Sequence, residues 1–126
     1  MPERGAVVGV GMSSSATALD VQGVTAAVLA DAGLGWPDVA AVATLDTLAA
    51  DPRLAALGCT VVGFPADRLA AVPGVTVSRR ARGAVGTGSV AEAAALLGAG
   101  FGGRLIVRKR RAATVTAAVA VGPAHP

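Results

Sequence analysis

The feature that most restricts the fold is a repeated order: a short β-rich run, a glycine or hydroxyl loop, then a helix-starting signal. Ala6 to Val10 is an apolar run ending in Gly9-Val10-Gly11, and behind the Ser13-Ser14-Ser15 turn Val21, Val24 and Val28 recur at helical spacing. That helix is expected to start near Ser15 to Thr17, where a hydroxyl can accept an orphan first-turn amide, and to stop at Gly33 or Gly35. Trp36-Pro37-Asp38 turns the chain into a second strand over Val39 to Thr44. Asp46 suits the cap of a helix from about Thr47 to Leu57, and Gly58 the left-handed stop before a strand over Thr60 to Gly63. Strand and helix alternating in this way predict parallel strands.

Further along, Pro65 fits the first position of a short helix through about Ala70, Pro73-Gly74 a turn, and Val75-Thr76-Val77 a brief strand. Ser89-Val90-Ala91-Glu92 is a capping box that opens an Ala/Leu helix closed by Gly98 and Gly100. Arg104 to Val107 and Thr114 to Val121 are β-rich runs joined by a basic link, Arg108 to Ala113, a spacing for an antiparallel hairpin. The expected fold is α/β: a three-layer α/β/α sandwich around a mixed, mostly parallel sheet of about five strands with a C-terminal hairpin. One domain over residues 1–126 is expected, with 122–126 a disordered tail.

A composition 53% hydrophobic but only 2% aromatic requires a core of Ala, Val and Leu. Small side chains favour close helix-on-sheet packing, so a bulky ligand is expected on the surface or between subunits. Charged residues, Gly and Pro interrupt every apolar stretch before the roughly 18–20 residues a membrane helix needs. Met1-Pro2-Glu3-Arg4 does not open a signal peptide, so a cytoplasmic protein with no membrane contact is expected. Cys59, the single cysteine, lies in an apolar run and reads as a buried, inert thiol. Disulfides are thereby excluded, and without a metal-spaced His, Cys or carboxylate cluster neither a metal nor a cofactor is expected.

Charge distribution says more than the net charge of +3. Arg79, Arg80 and Arg82 form one basic cluster and Arg108, Lys109, Arg110 and Arg111 a second, while the acids are scattered, which implies an anionic partner. Nucleic acid is disfavoured: there is no Tyr, and Trp36, Phe64 and Phe101 stand apart from both clusters. Two glycine and hydroxyl loops, Gly9 to Ser15 and Gly83 to Ser89, precede helices and in a parallel sheet would share its carboxyl edge, where amides and helix N-termini attract anions. Read as a dinucleotide fingerprint the first is incomplete, with Ser14 in place of the third glycine, so phosphate or nucleotide binding stands as an alternative. Ordinary loop-to-helix connections and a solvated hairpin tip would explain the same residues without a ligand. Asp46 and Glu92 are the carboxylates available for general base work, yet helix capping accounts for both.

Taken together, Gly9-Val10-Gly11 with its hydroxyl loop, Ala43-Thr44-Leu45-Asp46, the run from Val85-Gly86-Thr87-Gly88-Ser89-Val90-Ala91-Glu92 to Ala93-Ala94-Ala95-Leu96, and Lys109 before Thr116-Ala117-Ala118-Val119-Ala120 resemble the CobE/CbiG C-terminal domain family of cobalamin biosynthesis. The resemblance implies a role in building the corrin ring. Longer CbiG-type members act as hydrolases that open a lactone on a cobalt-precorrin and release acetaldehyde; stand-alone CobE-type members belong to the aerobic route, and the chain's length resembles theirs. Gly9, Gly11, Ser14, Thr17, Asp46, Gly86, Ser89, Glu92 and Lys109 match the family's polar and glycine landmarks. Two departures weigh against lactone hydrolysis: Met12-Ser13-Ser14-Ser15 replaces a Cys-Arg-rich loop, and Thr47-Leu48 stands where a lysine commonly follows the aspartate.

The function that this resemblance implies is binding of an anionic corrin-ring precursor, as carrier or accessory factor, with precorrin lactone hydrolysis as the enzymatic alternative. The expected ligand-binding set is Gly9, Gly11, Ser14, Thr17, Arg79, Arg80, Arg82, Gly86, Thr87, Ser89 and Lys109. Such a polycarboxylate tetrapyrrole is the expected partner, with other cobalamin-pathway enzymes or a second copy of the chain as ways to enlarge the surface.

Overall fold

The computed structural model describes residues 5–72, 87–100, 103–112 and 114–122. Five strands, β1 (Ala6–Met12), β2 (Val39–Leu45), β3 (Val61–Phe64), β4 (Arg104–Arg111) and β5 (Val115–Val121), form one sheet in the order β3-β2-β1-β5-β4. The first three run parallel, and β5 lies antiparallel to both β1 and β4, so the sheet is mixed as the sequence predicts. The helices are α1 (Ala18–Ala32), α2 (Pro52–Ala55), α3 (Ala66–Ala70) and α4 (Thr87–Ala99).

Alternation along the strands divides the core into two layers. Val8, Val10 and Met12 of β1 join Val115, Ala117 and Val119 of β5 beneath Val21, Val24 and Val28 of α1 and Leu54 of α2. Val7, on the opposite face, packs with Ala43, Leu45, Leu69 of α3 and Ala93 and Ala94 of α4. Helices thus cover both faces, the expected three-layer sandwich. Among the described residues no helix is long and apolar enough to cross a membrane.

The alanines of α4 bring its backbone almost onto β1. A Cβ added at Gly9 would lie 1.9 Å from the Ala91 carbonyl oxygen and 2.7 Å from the Ala95 nitrogen. Further down the same contact, a Cβ at Gly98 would meet Val7 Cγ1 at 2.6 Å. Gly9 is therefore accounted for by helix-on-sheet contact.

Two segments depart from expectation. The helix expected over Thr47 to Leu57 is split into a 3-10 turn, Asp46–Leu48, and the single turn α2. Pro52 is the cause: with no N–H it cannot continue a helix, but it fits a first helical position, and Asp51 caps the restart through a bond from the Arg53 amide at 2.8 Å. Asp46 accordingly makes no cap bond; it is the first residue of the 3-10 turn. The basic link is not a link either, because β4 continues through Arg111 and β5 begins at Val115. Cys59 is half-buried beside the strand, and burial raises its thiol pKa, which keeps it unreactive. Gly33 and Gly58 take the left-handed conformation with φ of 75° and 76°, as the helix-stop reading requires. The turn at Pro73-Gly74, the strand over Val75 to Val77 and the tail from Pro123 lie outside the described residues.

Candidate functional site at the carboxyl edge of the sheet

Strand pairing collects several segments at one edge. Met12, the last residue of β1, is opposite Val115, the first of β5, while Arg111 at the end of β4 is opposite Thr116. The tip of the β4–β5 hairpin therefore reaches the carboxyl end of β1, where the Ser13 amide donates to the Thr114 carbonyl at 2.9 Å. α4 runs antiparallel to β1, since Ala91 and Ala95 abut Gly9 and Gly98 abuts Val7. Its N-terminal end, the positive end of the helix dipole, faces the same edge. Asp46 and Phe64, at the ends of β2 and β3, complete the row.

The loop between β1 and α1 is fastened from three sides. Thr17 caps α1 in a reciprocal box with Asp20, its hydroxyl accepting from the Asp20 amide at 3.1 Å while the Asp20 carboxylate accepts from the Thr17 amide at 3.0 Å. Asp20 also accepts from the Thr114 hydroxyl at 3.1 Å, tying the loop to the hairpin. Bonds from the Thr17 amide and the Thr114 hydroxyl lower the Asp20 pKa. From below, Arg53 donates through Nη1 to the carbonyls of Ser13 (3.2 Å), Ser14 (3.4 Å) and Ala16 (2.8 Å), and its Nε and Nη2 bind Asp51 at 2.9 and 2.8 Å.

The Arg53 fork holds the Asp51 carboxyl at a pKa of about 2, below its ordinary 3.8. A depressed carboxylate pKa makes the pair a stabilising element above about pH 4, and that contribution fades as pH falls through about 2. Arg53→Ala is expected to lower Tm at pH 7 by a few degrees. The gap to the wild type should narrow below pH 3 in thermal melts. A constant gap from pH 7 to pH 2 would show that the Asp51 pair contributes nothing to it.

On the other side, Glu92 of α4 is only 8% exposed and its Oε2 accepts from the Lys109 amide at 3.0 Å. The bond falls at the second of two places where β4 departs from regular pairing, the first lying between Leu105 and Val107. Val107 is opposite Val119 and Arg110 is opposite Ala117, so Arg108 and Lys109 together occupy the place of the single residue opposite Ala118. This β-bulge takes one main-chain amide out of the ladder, and the Glu92 carboxylate supplies an acceptor.

The bulge also sorts the second basic cluster. Val107 and Arg110 face α1, where Arg110 meets Asp31 at 2.6 Å. Arg108 and Lys109, opposite Ala118, and Arg111, opposite Thr116, fall on the α4 side. All four are exposed.

Of the expected ligand residues, the structure brings Gly11, Ser14 and Thr17 to the carboxyl edge together with the first residues of α4, Thr87 and Ser89, while Lys109, opposite Ala118, lies level with Gly9 further down the sheet. Ser14 is exposed; Thr17 is occupied as a cap. Gly9 lies mid-strand under α4, away from that edge. Arg79, Arg80, Arg82 and Gly86 lie outside the described residues, as do the side chains of Thr87 and Ser89. Asp46 is exposed, and its backbone rests on Gly63, where an added Cβ would lie 2.8 Å from the Asp46 Cα. Among the described residues no group of three His, Cys, Asp or Glu could hold a metal ion.

Two residues at this edge escaped sequence reasoning. Arg53 was legible only through Asp51-Pro52, the cap and first position of the helix restart. Arg68, whose guanidinium stands 5.4 Å from the centre of the Phe64 ring, places a further cation beyond β3.

Known proteins match this architecture. The family model for the cobalamin synthesis G C-terminus matches residues 6–120. The crystal structure of CobE, a protein from the cobalamin (vitamin B12) biosynthetic pathway, superposes with a TM-score of 0.81 at 25% identity, covering 96% of this chain and 98% of that one. Cobalamin biosynthesis protein chiG from Agrobacterium tumefaciens str. C58 gives a TM-score of 0.66 at 28% identity, covering 95% and 99%. A cobalamin biosynthesis protein G homolog from Sulfolobus solfataricus shares the fold, with a TM-score of 0.73 at 18% identity, over 93% of this chain and 36% of its own length. No curated protein sequence matches the chain.

Proposed function

The chain belongs to the cobalamin synthesis G C-terminal family of cobalamin biosynthesis, and from that premise we propose that it binds an anionic corrin-ring precursor across the carboxyl edge of the sheet, as a carrier or accessory factor. The observation that carries the reading is the bulge in β4, which puts Arg108, Lys109 and Arg111 on the side of α4, whose N-terminal end reaches the same edge. Cations and a helix N-terminus side by side suit a ligand with several carboxylates, which they would orient by charge-assisted hydrogen bonds. The Arg79 to Arg82 cluster, which precedes α4 in sequence, lies outside the described residues. The core, closed by small residues, leaves a bulky tetrapyrrole to lie on the surface. We place this role in the cytoplasm, where pathway enzymes or a second copy of the chain would cover the rest of the ligand.

Lactone hydrolysis is less well supported by the geometry. Glu92 is buried and spends its Oε2 on the Lys109 amide. Asp46, beyond β2, stands three strand spacings from β4, roughly 14 Å, too far for Asp46 and Lys109 to act on one atom. A thermal-shift series separates the readings. Corrin precursors such as hydrogenobyrinic acid are expected to raise Tm, nucleotides to leave it unchanged, and no acetaldehyde to appear when a lactone precursor is supplied. A nucleotide-specific shift would favour phosphate binding at the Gly9 to Ser15 loop, and catalytic acetaldehyde release would establish the hydrolase.

A further inference from the structure

Resting on the corrin-binding reading, we propose that Glu92 is a positioning residue, whose buried carboxylate holds the β4 bulge and so sets Lys109 and Arg111 on the ligand side of the sheet. In a regular strand the side chains would alternate, and if Val107 kept its place toward α1, Lys109 and Arg111 would follow it there while Arg108 and Arg110 faced α4. The extra residue between Val107 and Arg110 breaks that alternation: Lys109 and Arg111 come to the α4 side and Arg110 goes to the α1 side, so three cations face α4 in place of two.

A bulge so placed needs an acceptor for the amide it frees, because β5 offers one residue, Ala118, where β4 presents two. Glu92 meets the requirement from outside the sheet: it projects from the second turn of α4, is 8% exposed, and accepts from the Lys109 amide at 3.0 Å. Its neighbours Ala91 and Ala95 let α4 come close enough to β1 for a carboxylate to reach β4. Capping of α4 alone would not call for this contact. A helix-capping glutamate acts on its own first turn, whereas this oxygen crosses to a strand seventeen residues later.

The test is a double-mutant cycle on hydrogenobyrinic acid affinity, with Tm measured in parallel. Glu92→Ala is expected to weaken binding about tenfold in the wild-type background and by less than about twofold in Lys109→Ala/Arg111→Ala, while Tm falls equally in both. Glu92→Gln keeps an oxygen acceptor and should retain most of the affinity. Should Glu92→Ala not fold, Glu92→Asp takes its place; its carboxylate, one methylene shorter, should show the same coupled loss. Hydrogen exchange at the Lys109 amide supplies a ligand-free readout, slow in the wild type and fast in Glu92→Ala or Glu92→Asp. Wild-type binding with unchanged affinity in those variants would overturn the positioning role alone, as would a loss that persists undiminished without Lys109 and Arg111. Absence of any corrinoid binding by the wild type would overturn the underlying reading, and this inference with it.

Discussion

Replacing Gly9 with alanine is expected to lower the melting temperature by about 10 °C or more, corresponding to about 3 kcal/mol or more lost from the fold. The new Cβ would lie 1.9 Å from the Ala91 carbonyl oxygen and 2.9 Å from the carbon that bears it. Those are backbone atoms of a helix whose hydrogen bonds fix them, so no rotamer change relieves the clash. Either α4 lifts from the sheet, opening the Ala93 and Ala94 layer, or β1 bends away from β2 and β5. Gly23 is the matched control: it sits in α1 with nothing within 4 Å of an added Cβ. Gly23→Ala should raise stability by about 0.5–1 kcal/mol through helix propensity and a less flexible unfolded chain. Equal, small effects at both positions in thermal melts would mean that α4 does not approach β1 as described.

The second large effect concerns the ligand. Arg108→Ala, Lys109→Ala and Arg111→Ala combined should weaken corrin-precursor binding about 30-fold while shifting Tm by only a degree or two. Exposed ion pairs contribute up to about 1 kcal/mol each, so three together reach about 2 kcal/mol, and surface residues of an edge strand add little to folding. Wild-type affinity should also fall as salt rises, since charges separated by more than about 8 Å are screened at physiological ionic strength. The triple variant should be nearly indifferent to salt. Arg110→Ala serves as the contrast: Arg110 faces α1 and pairs with Asp31, so its loss should leave affinity close to that of the wild type. Equal losses from Arg110 and from the α4-side residues would mean that the bulge does not sort the cluster.

Much of the fold was legible in the residues. Short apolar runs identified β1 and β2 and helical spacing identified α1; Thr17, Gly33 and Gly58 bounded helices where hydroxyl and glycine chemistry predict. The spacing of the last two strands identified an antiparallel hairpin. What the residues hid was local competition. Pro52 overrode the apolar pattern of Thr47 to Leu57, and β4 ran on through Arg108 to Arg111 because edge strands accept basic side chains that a turn would also accept.

The site was legible in outline but not in its internal roles. Two glycine and hydroxyl loops before helices predicted an anion-attracting edge, and both basic clusters pointed to an anionic ligand. Gly9, taken from the same signature as Gly11, turned out to be explained by packing, because a glycine needed for a ligand and one needed for a helix look alike in sequence. Glu92 satisfied the capping-box pattern, yet its described contact lies across the sheet, a partnership created by tertiary structure alone. Arg53 had no signature beyond the Asp51-Pro52 cap, since besides Asp51 its partners are main-chain carbonyls some forty residues away.

The most direct measurement is an equilibrium absorbance titration of the full chain with hydrogenobyrinic acid at low and at physiological salt. The account predicts saturable binding to a defined number of sites, weaker at the higher salt. Absence of saturation at either salt, or an affinity that salt does not alter, would contradict the assignment of the carboxyl edge as the seat of an anionic corrin precursor.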